Sequence, residues 1–292
     1  MEKLLVIGAS GLLGSKAYDL GKLQYETYGT YSKNARDGLV QLDVTNRNEV
    51  FKLLEQLRPN LVVDAHALNN VDYAESHTDE AWKINVDGSR NVAEASKVVG
   101  AKYVFVSSDY VYSGKKKIYT EKVRPDPLNF LGKTKWAMED TLDILDIDSI
   151  VIRTSGLYGK VSSTGKKSFV QFLIDNLQRN ERTSVLEDQF LSYTLVDDVA
   201  NAIFALTRAD QSGIFNVVGE DCLSKYKFSL MVCKEFRLDS SLIVPCKTQD
   251  LKQIAKRPER VRLSTRKLRQ IISQVPVSVK KGLDIIHKEM GA

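Results

Sequence analysis

Residues 4 to 14 read Leu4-Leu5-Val6-Ile7-Gly8-Ala9-Ser10-Gly11-Leu12-Leu13-Gly14, and this stretch decides the fold. Four apolar residues make a short buried strand. They run into glycines spaced G-x-x-G-x-x-G, and an amphipathic pattern begins at Leu12. A strand that turns on glycines into a helix is the phosphate-binding element of a dinucleotide fold. Gly8 permits the tight turn, Gly11 lets the backbone approach a pyrophosphate, and Gly14 lets the helix pack closely on the sheet. Ser10, Leu12 and Leu13 ride on the same turn, where free N–H groups and the helix dipole favour an anion.

Outward from this turn, short apolar runs alternate with helical patterns. Strands are expected at Leu4–Ile7, Thr27–Tyr31, Leu61–Asp64, Tyr103–Ser107 and Ile150–Arg153, with helices near 12–22, 46–57, 79–98 and 130–145. Such alternation implies a parallel sheet with right-handed crossovers. Asn46-x-x-Glu49 resembles a capping box opening the second helix. Thr78, followed by Asp79 and Glu80, suits a helix start with acids at the positive dipole end. Beyond residue 155 the pattern is mixed. It suggests helices near 167–179, 197–207 and 224–236, strands at Val185-Leu186 and Ile214–Val218, and a basic helical tail from about 250. The expected architecture is α/β: a Rossmann-type doubly wound parallel sheet over residues 1–155 with a smaller C-terminal substrate lobe. Residues 156–292 form mainly that lobe, with some segments returning to the dinucleotide domain.

The end of the second strand separates the two nicotinamide cofactors. NAD-specific sites place an acid there, on the ribose 2′-hydroxyl. Here the strand runs Thr27-Tyr28-Gly29-Thr30-Tyr31-Ser32-Lys33, without an acid. Tyr31, Ser32 and Lys33 suit a 2′-phosphate, so NADP(H) is expected, with NAD(H) the alternative. Asp43, in Leu42-Asp43-Val44, is placed for the adenine amino group, with Val44 beside it.

Composition narrows the class. The 292 residues are 43% hydrophobic and 27% charged, with a formal net charge of +5, ordinary for a globular protein. The basic clusters Lys115–Lys117, Lys166-Lys167 and Lys280-Lys281 are scattered. They read as solvated faces rather than a nucleic-acid stripe. Cys222, Cys233 and Cys246 lack metal spacing and read as thiols in a reducing compartment. His66, His77 and His287 are too dispersed for a zinc site. No apolar run approaches ~18 residues, so no membrane segment is expected. The expected location is cytoplasmic.

Further segments carry a family likeness. They are Asn70-Val71-Asp72-Tyr73-Ala74-Glu75, Ser107-Ser108-Asp109-Tyr110-Val111-Tyr112-Ser113-Gly114, Pro127-Leu128-Asn129 and Gly132-Lys133-Thr134-Lys135, then Arg153-Thr154 and Leu157-Tyr158-Gly159. In this order the chain resembles extended short-chain dehydrogenases/reductases of the dTDP-4-dehydrorhamnose reductase family. It is similar also to the regulatory β subunit of methionine adenosyltransferase. The resemblance implies that Gly8, Gly11 and Gly14 hold the pyrophosphate and that Leu42 and Asp43 flank adenine. Ala65 and Ala67 line the dinucleotide path, with His66 an unusually bulky residue between them. Ser107 ends the fourth strand beside the cofactor, and Ser108 and Asp109 approach the substrate carbonyl. Lys135 holds the nicotinamide ribose, and Arg153, Thr154 and Ser155 follow the last core strand beside the cofactor. The implied substrate is a nucleotide-linked 4-keto-6-deoxy sugar. The implied protein partner is a second copy of the chain or a subunit that it regulates.

One position departs. The family's active-site helix carries Tyr-x-x-x-Lys, and here Leu131 stands four residues before Lys135. Leucine has no proton to give. Tyr112, on the loop after Ser108, is one substitute donor; its alternative is an aromatic packing at the lobe interface. Gly156 also departs, since relatives often carry a bulky residue there. Three readings follow: a keto-sugar reductase, a non-catalytic NADP-binding regulatory or scaffold subunit, and an epimerase or dehydratase.

Overall fold

The structure is a computed structural model that describes residues 1–160 and 168–291. The basic pair Lys166-Lys167 lies outside the described residues. A seven-stranded parallel sheet is its centre. The strands are β1 (Lys3–Ile7), β2 (Glu26–Tyr31), β3 (Val40–Gln41), β4 (Leu61–Asp64), β5 (Lys102–Ser108), β6 (Ser149–Thr154) and, later in the chain, Gly213–Asn216. Their order from one edge is β3-β2-β1-β4-β5-β6, with Gly213–Asn216 outermost. The chain reverses its direction of travel between β1 and β4, and such a switch point opens a crevice at the carboxyl ends of the strands.

Alternation along β1 serves two cores. Leu4 and Val6 pack with Ala17, Ile203 and Phe204 on one face. Leu5 and Ile7 pack with Val50, Leu54, Val92, Met138 and Leu142 on the other. The first face is covered by α1 (Leu12–Gly21), the second by α2 (Arg47–Leu57). Asn46 caps α2 by accepting from the Glu49 backbone N–H, while its amide donates to the Glu49 carboxylate at 2.8 Å. The cap forms, but the reciprocal half of a capping box does not.

After α3 (Val71–Ser76), the helix expected at 79–98 runs without a break from Thr78 to Val99, but as three segments: α4 (Thr78–Trp82), a π-helical turn at Lys83–Gly88 and α5 (Ser89–Val99). The wide turn contains Asn85, fully buried, whose amide donates to the Leu68 carbonyl and Thr134 hydroxyl while its oxygen accepts from Leu68 N–H. This tertiary anchoring outweighs helical periodicity. Helix α6 (Phe130–Ile144), which carries Leu131 and Lys135, is capped by Asn129, which accepts from Gly132 N–H at 2.9 Å.

Beyond β6 a second core forms from Val170, Leu173, Phe228, Val232, Leu283 and Ile286. It is carried by helices Phe169–Gln178, Lys225–Glu235 and Val279–Met290. Helix Val196–Arg208 returns to cover the first face of the large sheet beside α1. The tail expected to be helical from about 250 is helical only in part, at Arg266–Arg269 and Val279–Met290. Residues 251–265 form an irregular strap, bridging Tyr119 at Leu263 and Phe190 at Arg260. Pro258 lacks the N–H a helix needs, and Ile254 and Ala255 instead donate their backbone N–H groups to Asp72.

Candidate active site

The crevice at the β1/β4 switch point opens into a cavity of about 1080 Å³. One end is built from backbone. Gly8 has φ +77, the left-handed region that glycine tolerates. Gly11 precedes α1 without a side-chain cap, and the first turn of α1 carries no acid. Uncapped N–H groups with no nearby carboxylate fit a pyrophosphate. Ser10, Gly11, Leu12 and Leu13 line the cavity, whereas Gly14 lies beneath it. A Cβ on Gly14 would stand 2.1 Å from the Gly8 carbonyl oxygen, so Gly14 serves the close packing of helix on turn.

Tyr31, Ser32, Lys33, Asp43 and Val44 line the far end, joined by Asn34, Gln41 and Thr45. Asp43 accepts from the backbone N–H and hydroxyl of Thr45, at 2.9 and 2.8 Å. Between the ends run Ala65, His66 and Ala67. Both ring nitrogens of His66 face acceptors: Asp64 on one side, the Ile84 carbonyl at 3.0 Å on the other. Tyr103 donates its hydroxyl to the same Asp64 carboxylate. Burial pushes the Asp64 carboxyl up, but His66 and Tyr103 outweigh it and hold the group below its ordinary value. This buried Tyr103–Asp64–His66 chain has no short sequence motif; β4–β5 pairing assembles it.

The other end is built from side chains on β5, α6 and the segment after β6. Ser108, Asp109, Leu131, Lys135, Thr154 and Ser155 line it. Lys135 donates to the Val106 carbonyl at 2.8 Å and lies over the Phe105 ring. Burial pulls its ammonium down to about 8, against the charges of Asp64 and Glu139. Asp109 accepts from Ser155 Oγ at 2.6 Å and from Ser108 Oγ at 3.1 Å. Burial pushes its carboxyl up to about 6, against those two hydroxyls. Leu131 is buried with Val71, Ala74, Ala81 and Ala255, against Leu68, Tyr110 and Phe130.

Two expected site residues lie elsewhere. Tyr112 is fully buried in a separate cluster with Val111, Tyr119 and Val261. Its hydroxyl donates to the Thr120 carbonyl and accepts from Arg153. It does not line the cavity, so the packing alternative describes it better than proton donor does. Arg153 is likewise withdrawn, 1% exposed and ion-paired with Glu139. Ser107 lines the cavity, but its hydroxyl turns away to Glu139. Ser107 and Arg153 are register partners on β5 and β6, so both side chains reach the same carboxylate.

Asp72 on α3 ties the strap down. It pairs with Arg257 at 2.8 Å and accepts the Ile254 and Ala255 N–H groups. Arg257 and these N–H groups hold its carboxyl down at about 2.

The likeness to known proteins spans the whole architecture. Residues 1–291 match the family described as RmlD substrate binding domain. A dTDP-4-dehydrorhamnose reductase of Aggregatibacter actinomycetemcomitans is 30% identical, over 98% of this chain and 99% of that one. The methionine adenosyltransferase 2 subunit beta of Bos taurus is also 30% identical, over 84% of this chain and 75% of its own. The crystal structure of dTDP-4-dehydrorhamnose reductase from Bacillus anthracis in complex with NADP superposes with a TM-score of 0.89. It is 31% identical and covers 99% of both chains. With its glycine turn, parallel sheet and two-ended cavity, this chain belongs to the RmlD substrate-binding-domain family.

Proposed function

We propose that the protein is an NADP(H)-dependent reductase of a nucleotide-linked 4-keto-6-deoxy sugar, with Leu131 at the position where the family carries its tyrosine. One observation carries the reading. A single cavity joins an uncapped, acid-free helix N-terminus at one end to Ser108 and Lys135 at the other. The reductase relative covered over 99% of its length supports it.

In this reading the bound dinucleotide supplies the hydride. The glycine turn holds its pyrophosphate, and Ser32 and Lys33 hold its 2′-phosphate. Lys135 holds the ribose beside the reacting carbon, and Ser108 donates to the substrate carbonyl. Leu131 contributes no proton. Residues 1–155 hold the cofactor and residues 156–292 mainly the sugar.

The second reading is a non-catalytic NADP-binding regulatory subunit. Leu131 in its apolar nest favours it, as does the methionine adenosyltransferase relative. The deciding experiment follows NADPH oxidation with a dTDP-4-dehydro-6-deoxy sugar in wild type and Leu131→Tyr. A positioned acid contributes ~10²–10⁴ in rate, so the variant is expected to gain ~10-fold or more. If neither form turns over sugar while calorimetry finds NADP(H) bound to both, the regulatory reading replaces the first.

A further inference from the structure

Position 131 supplies no tyrosine hydroxyl, and Tyr110 at the same end is hydrogen-bonded to Arg257, but the reacting end does not lack an acid. Asp109 is 3% exposed and lines the cavity. Among the described residues it has no cationic partner; its side-chain partners are the two serine hydroxyls, Ser155 and Ser108. Ser108 Oγ also accepts the Tyr110 backbone N–H at 3.2 Å. The geometry points to Asp109 as the proton source of this reductase, passing its proton through Ser108 to the substrate oxygen in place of the missing tyrosine. The inference rests on the reductase reading above and assigns the proton within it.

The step balances as follows. The carbonyl carbon gains a hydride from the dinucleotide, and the π pair moves onto oxygen. That oxygen takes the Ser108 hydroxyl proton. Ser108 Oγ takes the proton of the Asp109 carboxyl along the 3.1 Å contact. Asp109 is left as a carboxylate, which Ser155 stabilises by donation, and water in the open cavity restores its proton. The ketone is reduced and NADPH is oxidised.

A carboxyl acts as an acid only while protonated, and burial holds Asp109 up to about 6. The titratable groups around it are Tyr110, pushed by burial to about 12, and Cys222, also raised by burial. Both keep their protons near neutrality. The Asp72–Arg257 pair stands beyond Tyr110. Lys135 shares the cavity and titrates near 8, a separate limb of any pH profile.

The test compares wild type, Asp109→Asn, Leu131→Tyr and the double variant by NADPH oxidation with a dTDP-4-dehydro-6-deoxy sugar from pH 5 to 9. The wild-type kcat is expected to fall as pH rises through about 6. Asp109→Asn is expected to lose ~10²-fold or more, the contribution of a general acid, and to flatten that limb. The double variant is expected to regain rate, because its tyrosine donates directly; regained rate also shows that Asn at 109 leaves the site folded. A second readout needs no turnover: infrared titration of the cofactor-free protein is expected to show one carboxyl near pH 6, absent from Asp109→Asn. Turnover unchanged by Asp109→Asn, an Asp109 already ionised at pH 5, or a double variant no faster than Asp109→Asn overturns the proposal while leaving the reductase reading intact. No turnover in wild type or Leu131→Tyr overturns the reductase reading, and the proposal with it.

Discussion

The two ends of the cavity are made from different materials. The dinucleotide end is mostly backbone, glycines whose missing side chains let the turn at Gly8 and helix α1 approach. The other end is mostly polar side chains: half-buried Ser108, buried Asp109, Lys135 and Ser155, and behind them buried Glu139 and Arg153. At the first end function is lost by adding atoms. At the second the arrangement rests on which side chains are present: Glu139 pairs with Arg153, and Asp109 accepts from two serine hydroxyls. The first kind of site is written in consecutive residues. The second is assembled from two strands, the segments that follow them and a helix.

The contrast is broken most severely behind the reacting end. Glu139→Ala leaves the Arg153 guanidinium buried without its carboxylate, a loss of about 3–5 kcal/mol. Urea denaturation measures it; a loss below about 1 kcal/mol would mean water or Tyr112 compensates and that the reacting end is no more dependent on pairing than a surface. At the glycine end, Gly14→Val puts a Cβ 2.1 Å from the Gly8 carbonyl oxygen and should cost about 1–3 kcal/mol of stability, the range of overpacking.

Gly11→Val separates fold from function at the same end. Its Cβ would meet only the Gly8 carbonyl oxygen, at 3.3 Å, so the melting temperature should change little. Cofactor affinity should fall by at least about tenfold, 1.4 kcal/mol, in calorimetry with NADP(H). Normal binding would remove the pyrophosphate from this turn. Lys33→Ala should weaken NADP(H) selectively by about 1 kcal/mol, the low side of a charge-assisted bond because Lys33 is exposed. Equal losses for NAD(H) would make Lys33 a bystander.

The smallest effect belongs to the strap. Asp72 carries an ordinary value of 3.8 and a folded one of about 2. Its contribution is therefore present above pH 3.8 and lost as pH falls through about 2. Solvent screening limits it to about 1 kcal/mol or less. Asp72→Asn should remove that acid limb from the stability profile of wild type.

Legibility in the sequence followed distance along the chain. The strand at Leu4–Ile7, its glycine turn and the helix from Leu12 were readable because their signals, an apolar run, a glycine spacing and a helical period, lie within about ten residues, although the strand's partners are distant. Leu61–Asp64 was readable for the same reason: a strand buried on both faces is a plain apolar run. Ser108 and Lys135 required a family likeness, since nothing local joins residues 27 positions apart. Arg153 was misplaced because the sequence does not say which neighbour a buried arginine will find; the β5–β6 register sends it to Glu139 beside Ser107. For Tyr112 the sequence left two roles open, proton donor and packing aromatic, and the fold places it in a packed cluster after the 3-10 turn at Asp109–Val111. The π turn at Lys83–Gly88 was hidden inside an amphipathic pattern, because Asn85 fixes it through Leu68 and Thr134, and the strap at 251–265 is held by Asp72 from another part of the chain.

The amino-acid sequence alone determined the parallel α/β sheet, the glycine turn and the leucine at position 131. These depend on side-chain period, glycine geometry and residue identity, all of which are local. Only the tertiary structure decided that Asp109 sits between two hydroxyls with no cationic partner among the described residues, that Arg153 serves Glu139 and that Asp64 holds His66. Burial sets the charge of such groups, and burial is a property of how distant segments close over a residue.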